Sequence, residues 1–452
     1  MDFFAAKKKL QEIDQQQLLL HWPTLNKKES DRLLDQIDQL DVALLRHQQE
    51  ALKVHSCGSL AEALLQPIPH YEQRGNRDDY RLGKELIAQG KVGALILAGG
   101  QGSRLGFPHP KGCYPISVIR KKSLFQLIAE KTLAAGKEAQ RPLPVAILCG
   151  AHNHRAIEQF FSSHDFFGLK PTQLFFFAQQ ELPLLNANGD LFLSAPAEIC
   201  RGSEGNGTAF YHFVAAKIAE QWQKMGIECV ALTLIDNPLA DPFDAELIGF
   251  QRRTGYSAIV KGIERTDPEE SLGLLALHRG RLSVVEYTEL PEKMRRQRVG
   301  NFLLFRLANL SLFCFDMQAI VRLAMHTHKL PLHVALKLTE KLNAEGQVER
   351  SVAWKCERYL FDLLAWADKT GLLVYPREEC FAPLKNSSGP YGPEGVQRAL
   401  LAADRRVITK ITGLAPPSFP FELAQDFYYP TEALLARWCG RSISSSGYIQ
   451  AS

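Results

Sequence analysis

The feature that most constrains this chain is the stretch KVGALILAGGQGSRLGFPHPKG at 91–112. Its apolar run, Val92 to Leu97, is interrupted only by Gly93 and suits a strand buried on both faces. The run breaks into a turn holding Gly99, Gly100, Gly102 and Gly106, with Arg104 inside it and Lys111 just beyond. Glycines let backbone N–H groups approach an anion and tolerate positive φ, and fixed Arg and Lys offset the remaining charge. A plain strand-to-helix turn needs the glycines but not two cations in one short loop, so the stretch predicts a phosphate-holding loop. Two familiar glycine loops do not fit. After Gly100-Gln101-Gly102 the next glycine is Gly106, one position late for the dinucleotide fingerprint. Lys111 precedes Gly112 and no Ser or Thr follows, which excludes the P-loop.

At 452 residues the chain exceeds one ordinary core and predicts two or three domains. Hydrophobic content of 46% and charged content of 23% are those of a globular protein. The net charge of +4 is slight; it calls for no nucleic acid, and a phosphorylated small substrate accounts for local basic clusters. No run approaches the ~20 apolar residues of a membrane span, and the first residues, MDFFAAKKKLQEIDQQQ, lack the apolar core of a secretory leader. Nine cysteines with no C-x-x-C pair fit reduced thiols in a cytoplasmic protein. Cys113, beside the loop, reads as a small packed side chain.

Apolar residues at helical spacing (Leu18, Leu19, Trp22 and Leu25; Leu33, Leu34, Ile37, Leu40, Leu44 and Leu45) predict an N-terminal helical domain over 1–88 that packs on the adjoining domain. A short helix is expected at 59–66 and another at 80–89. From 92 onward, strand candidates at 92–97, 145–149, 173–177, 230–235 and 258–260 alternate with helix candidates at 123–135, 154–161, 208–224 and 245–253. That alternation predicts an α/β, Rossmann-like domain over 89–375, its sheet mostly parallel with helices on both faces. Ligands bind such sheets outside the carboxyl ends of the strands. Short strand candidates at 274–277, 282–287, 302–305 and 310–315, with His278-Arg279-Gly280 as a hairpin turn, predict an antiparallel extension forming one wall of the site. A helix is expected at 354–367. Over 376–452 the chain is richer in Gly, Pro and Ser and predicts a small C-terminal domain.

Further polar stretches fall where strands should end. Gln179-Gln180-Glu181 follows one. Gly202 to Gly207, with the sequence GSEGNG, precedes a helix and offers a second backbone turn for an anion or sugar. Asp236-Asn237-Pro238 closes another. An Asp there can hold Mg²⁺ together with substrate phosphates or cap the next helix.

These stretches together resemble the eukaryotic-type UDP-N-acetylhexosamine (UDP-N-acetylglucosamine) pyrophosphorylases of the UDP-sugar pyrophosphorylase superfamily, whose signature is L-A-G-G-Q-G-[TS]-R-L-G followed by P-K-G. HWPTLNKKESDRLLDQIDQLD resembles the family's N-terminal hairpin. Ser123-Leu124-Phe125-Gln126, 176–183, EGNG at 204–207, IDNPL at 235–239, VVEYTE at 284–289 and APLKN at 382–386 follow in the family's order. The resemblance covers about 15 to 390. It implies a nucleotide-diphosphosugar-transferase-like α/β domain with a mixed sheet flanked by two smaller parts, and a Mg²⁺-assisted reaction joining UTP and a sugar 1-phosphate into a UDP-sugar and pyrophosphate.

The resemblance also implies roles residue by residue. Leu97, Ala98, Gly99, Gly100 and Gly102 would wrap the nucleotide. Arg104, Lys111 and Lys385 would stand on the phosphates. Gln179 would read the uracil, with Gly205 and Asn206 at nucleoside and sugar. Asp236 would stand near metal and α-phosphate. Gly273, Glu286 and Asn309 would hold the hexose, with the aromatic Tyr359 and Phe361 near it. Around Asn309 the family pattern N-A-G-N-I-A-N-H is here Arg306-Leu-Ala-Asn309-Leu-Ser-Leu-Phe, and the Gln179 loop reads AQQE in place of QQGM. Two alternatives therefore stand beside an N-acetylhexosamine substrate: a glucose 1-phosphate or broad UDP-sugar uridylyltransferase, and a non-catalytic sugar-nucleotide binder.

Overall fold

The structure is a computed structural model that describes residues 1–57, 65–287 and 289–451. The chain forms two compact units. The smaller gathers residues 1–60, 179–208 and 329–360; the larger gathers 61–178, 209–328 and 361–452.

The larger unit is built on one sheet. Val92–Leu97 is buried at every position and pairs in parallel with Cys229–Leu234 and with Val145–Gly150. The strands run in the order Glu72–Gln73, Thr370–Tyr375, Ala258–Glu264, Leu307–Asp316, Cys229–Leu234, Val92–Leu97, Val145–Gly150, Leu174–Gln179. Leu307–Asp316 is antiparallel to both of its neighbours, so the sheet is mixed, and the expected antiparallel addition sits inside it as well as at its side. The hairpin Leu274–His278 and Arg281–Val285 joins through Leu274 and Ala308. Its turn at Arg279-Gly280 takes positive φ at both positions, 52° and 76°, as a two-residue hairpin loop requires.

The helices follow local signals. Ser123 Oγ accepts the Gln126 N–H and starts Leu124–Glu138. Asn76 and Asp79 form a capping box for Arg77–Ala88. That helix crosses Ala245–Thr254 at two glycines, where a Cβ on Gly83 would lie 1.8 Å from the Ala245 oxygen and one on Gly249 1.8 Å from the Asp79 oxygen. Asp79, fully buried, is held there by Arg253 at 2.6 Å and 3.1 Å.

The smaller unit closes over the N-terminal helices Phe3–Glu12, Lys27–Asp38 and Val42–Cys57. Leu10, Leu33, Ile37 and Leu45 pack with Leu185, Leu191, Ile199 and Leu342. The division expected over 1–88, 89–375 and 376–452 is therefore replaced by an interleaved one: the N-terminal helices complete their apolar core with strands from 181–203 and 333–357. The C-terminal stretch belongs to the larger unit because Phe381, Leu384 and Val396 enter the main core.

Three element readings are corrected. The helix expected at 354–367 is the end of the strand Val348–Glu357, which pairs with His333–Leu342, followed by a 3₁₀ turn at Leu360–Trp366. The single helix expected at 208–224 is two, Ala209–Ala215 and Ile218–Lys224, parted by a left-handed Lys217. Leu65–Gln66, expected as the end of a helix, pairs as a strand with Leu277 and His278; the rest of that expected helix, 59–64, lies outside the described residues. Among the described residues no helix is long and apolar enough to cross a membrane.

Candidate active site

The glycine loop leaves the carboxyl end of its strand beside a second strand end. Leu97 O accepts the Ile235 N–H at 3.0 Å, which places Asp236 at the start of the loop. The Ala98 N–H is used in the ladder by Leu148 O at 2.8 Å. The loop then folds back on itself: Gly102 donates to His109 O at 3.1 Å, and Lys111 donates to Gly100 O at 3.2 Å. Asn153, buried, accepts from Gly150 N at 2.8 Å and donates to Gly99 O at 3.3 Å, bracing the loop from below.

This folding brings the Lys111 Nζ to 3.6 Å from Asp236 Oδ2, with the two side chains 16% and 14% exposed. The same turn holds the segment carrying Lys385. Asp236 O accepts the Leu384 N–H at 2.7 Å. Asn237 donates to Cys380 O at 2.7 Å and accepts from Ala382 N at 3.1 Å. Lys385, half-buried, lies with its ammonium 6.0 Å from the Phe381 ring centre. Arg104 is exposed and makes no side-chain hydrogen bond or ion pair among the described residues. Lys111, Asp236 and the main chain next to Lys385 thus meet at one strand end.

The expected hexose residues also come together. Asn309 N donates to Gly273 O at 2.9 Å, and a Cβ on Gly273 would lie 3.4 Å from Glu286 Oε1. Leu307–Asp316 runs antiparallel to Cys229–Leu234 with Leu232 opposite Phe313, so Asn309 lies toward the same strand end as Asp236. A register shift opposite Lys261/Gly262 and a left-handed Ser311 mark a bulge there. Asn309 Oδ1 accepts from Ser311 N at 3.0 Å, which fixes the amide. Phe361 is buried at the start of Leu360–Trp366, a packing position.

Gln179, Gly205 and Asn206 belong to the smaller unit and form one network of their own. Gln179 donates to Ser203 Oγ at 2.5 Å. Glu204 accepts from Gln180 N at 2.8 Å and from Thr208 Oγ1 at 2.9 Å. Gly205 has φ 89°, and a Cβ on it would lie 2.2 Å from the Arg358 oxygen. Gly207 N donates to that oxygen at 2.9 Å, and Asn206 Oδ1 accepts from Leu360 N at 3.0 Å. The glycines of EGNG are thus demanded by the close approach of the 358 backbone. Burial lowers the Arg358 pKa, with Glu204 opposing it. Tyr359 packs its ring 4.7 Å from that of His333.

Sequence reasoning passed over Asn153, Arg358 and the trio Glu270, Arg377 and Tyr391, whose partners are distant in the chain and carry no motif. A cavity of about 360 Å³ elsewhere in the larger unit is lined by Lys131, Asp241, Asp244, Lys261 and Asp404 among others. None of Arg104, Lys111, Asp236 or Lys385 lines it, so the candidate site rests on converging side chains, not on that cavity.

The profile of the family described as "UTP--glucose-1-phosphate uridylyltransferase" matches residues 43–405. The chain is 30% identical over 444 residues to the UDP-N-acetylglucosamine diphosphorylase 2 of Arabidopsis thaliana, covering 92% of this chain and 87% of that protein. It is 28% identical over 466 residues to the UDP-N-acetylglucosamine pyrophosphorylase of Saccharomyces cerevisiae, covering 97% and 98%. Its fold matches that of the uridine diphosphate N-acetylglucosamine pyrophosphorylase of Trypanosoma brucei with a TM-score of 0.80 at 24% identity, over 96% of this chain and 94% of that one. On these matches the chain belongs to the UDPGP family, with UDP-N-acetylglucosamine pyrophosphorylases as its relatives.

Proposed function

We propose that the chain is a UTP:sugar-1-phosphate uridylyltransferase that forms UDP-N-acetylglucosamine, or a related UDP-N-acetylhexosamine, and pyrophosphate. The observation that carries this reading is the meeting of Lys111, Asp236 and the Lys385 segment at the strand end where the glycine loop begins.

In this reading an oxygen of the sugar 1-phosphate attacks the α-phosphorus of UTP in line. The new P–O bond forms as the bond to the bridging oxygen breaks, and pyrophosphate leaves. The nucleophile is already ionised, so no general base is needed. Two anions must meet, and charge spreads over the phosphoryl oxygens in the transition state. Positioning and fixed positive charge supply the catalysis. Lys111, Lys385 and the exposed Arg104 are the cations, and the main chain of 99–102 is assigned to the nucleotide. Gln179 is assigned to the uracil, and Gly273, Glu286 and Asn309 to the hexose.

Among the described residues no group of three or more His, Cys, Asp or Glu is arranged to hold a metal. Asp236 as a lone carboxylate fits Mg²⁺, whose other ligands are then phosphate and water oxygens. When bound, Mg²⁺ neutralises phosphate charge. The described cysteines are free thiols, which fits a reducing, cytoplasmic setting.

Pyrophosphate release from UTP, measured with N-acetylglucosamine 1-phosphate and with glucose 1-phosphate, tests the assignment. The expected outcome is release with the N-acetylated sugar at least as fast as with glucose. The altered neighbours of Asn309 and the family's own description favour glucose 1-phosphate as the second reading. A clear preference for glucose selects it, and no release with any pair leaves a binding protein.

A further inference from the structure

Glu270 lies three residues before Gly273, in the loop that leads into the hairpin of the sugar wall. Its carboxylate is 12% exposed and is gripped by two residues far along the chain. Both oxygens accept from Arg377, at 2.5 Å and 2.6 Å, and Oε1 also accepts from the Tyr391 hydroxyl at 2.5 Å. Arg377 follows the strand Thr370–Tyr375 and opens the short helix Arg377–Cys380 that leads to Lys385. The Tyr391 carbonyl, in turn, accepts the N–H groups of Lys385, at 2.8 Å, and of Asn386, at 3.1 Å. The Tyr391 and Phe381 rings meet edge to face with centres 5.9 Å apart, and the Lys385 ammonium lies near the same Phe381 ring.

The base of the Glu270 loop is itself fixed. Arg265, buried, donates to Pro268 O at 3.2 Å, and to Phe305 O at 2.9 Å, just ahead of the Asn309 strand. A continuous line of bonds therefore runs from the sugar wall through Glu270 and Tyr391 to the main chain of Lys385. Bidentate Arg–carboxylate pairs fix geometry as well as charge, and removing one partner of a buried pair leaves the other charge stranded. Burial and the Glu270 carboxylate push the Tyr391 hydroxyl up to about 12, so it stays protonated and donating at neutral pH.

We propose that Glu270 is a positioning residue: clamped by Arg377 and Tyr391, it holds the Lys385 segment in register with the sugar wall, so that sugar phosphate and lysine are presented to the α-phosphate together. The proposal rests on the reading above that Lys385 acts on the phosphates.

The test is a double-mutant cycle on pyrophosphate release, with kcat, KM and Tm measured for Lys385→Ala, Glu270→Ala and both together. Lys385→Ala is expected to lower kcat about 100-fold, and Glu270→Ala about 10-fold. Adding Glu270→Ala to Lys385→Ala is expected to change kcat less than about 2-fold, because the group being positioned is gone. Tyr391→Phe removes one bond to Glu270 and keeps the carbonyl that holds Lys385. It is expected to lower kcat about 3-fold in the native background and to have no effect beside Lys385→Ala. It carries the same cycle if Glu270→Ala does not fold. Losses that multiply across the cycle, or a Glu270→Ala enzyme with native kcat, overturn the positioning role while the assignment of Lys385 stands. A Lys385→Ala enzyme with native kcat overturns that assignment and the proposal with it.

Discussion

Lys111 and Asp236 stand 3.6 Å apart, outside hydrogen-bond reach, at a strand end that both sequence and structure mark. A tight, dry pair would bind its own charges and leave little for a ligand. A pair held beyond hydrogen-bond distance leaves the ammonium available to phosphate and the carboxylate to a cation. Lys111→Ala is therefore expected to lower kcat by about 100-fold or more while leaving Tm near native, as read by pyrophosphate release and thermal melts. A non-catalytic binder has no turnover to lose. Residues of this kind were legible because the loop states their chemistry: glycines for approach, Arg and Lys for charge. Asn153 and Glu270 were not. Each works through a partner far along the chain, Asn153 through Gly99 and Glu270 through Arg377 and Tyr391, and a buried Asn or a loop Glu looks ordinary until those partners are placed.

At the scale of elements, the parallel strands were readable because both faces are buried and the apolar runs are unbroken. The hairpin His333–Leu342 and Val348–Glu357 was not. Trp354, Phe361 and Leu364 fall at helix-like spacing, yet Val348, Arg350, Val352, Trp354 and Cys356 lie on one face of a strand whose partner is the preceding strand His333–Leu342. Pairing across the hairpin overrode the local pattern. The crossing of Arg77–Ala88 with Ala245–Thr254 shows the same dependence on a distant partner. Gly249→Ala would place a methyl against the Asp79 carbonyl and force the helices apart. The expected cost is about 1–3 kcal/mol, seen as a lower denaturation midpoint with unchanged substrate preference in the folded fraction.

For the whole molecule, the buried Asp404 sets a dependence on pH. Burial pushes its pKa up to about 7, against bonds from the Tyr428 hydroxyl and the Leu423 N–H that favour the charged form; Glu422 raises it further and Lys122 lowers it. In the unfolded chain an Asp titrates near 3.9. Between those values the folded state holds the extra proton, so the Asp404 contribution to stability falls as pH rises from about 4 to about 7 and then levels. Asp404→Asn keeps an acceptor for Tyr428 and cannot ionise. Its denaturation midpoint is expected to vary less than that of the native chain across the same range.

The helices of 3–57 find much of their apolar partner surface in strands from 181–203 and 333–357, with Leu342 and Trp354 at the far end of that wait. On a ribosome the first helices emerge well before either segment that completes their cover. Leu33, Ile37 and Leu45 lack part of their cover until Leu185 to Ile199, and then Leu342, have been made, an interval in which a nascent chain is open to aggregation and in need of a chaperone.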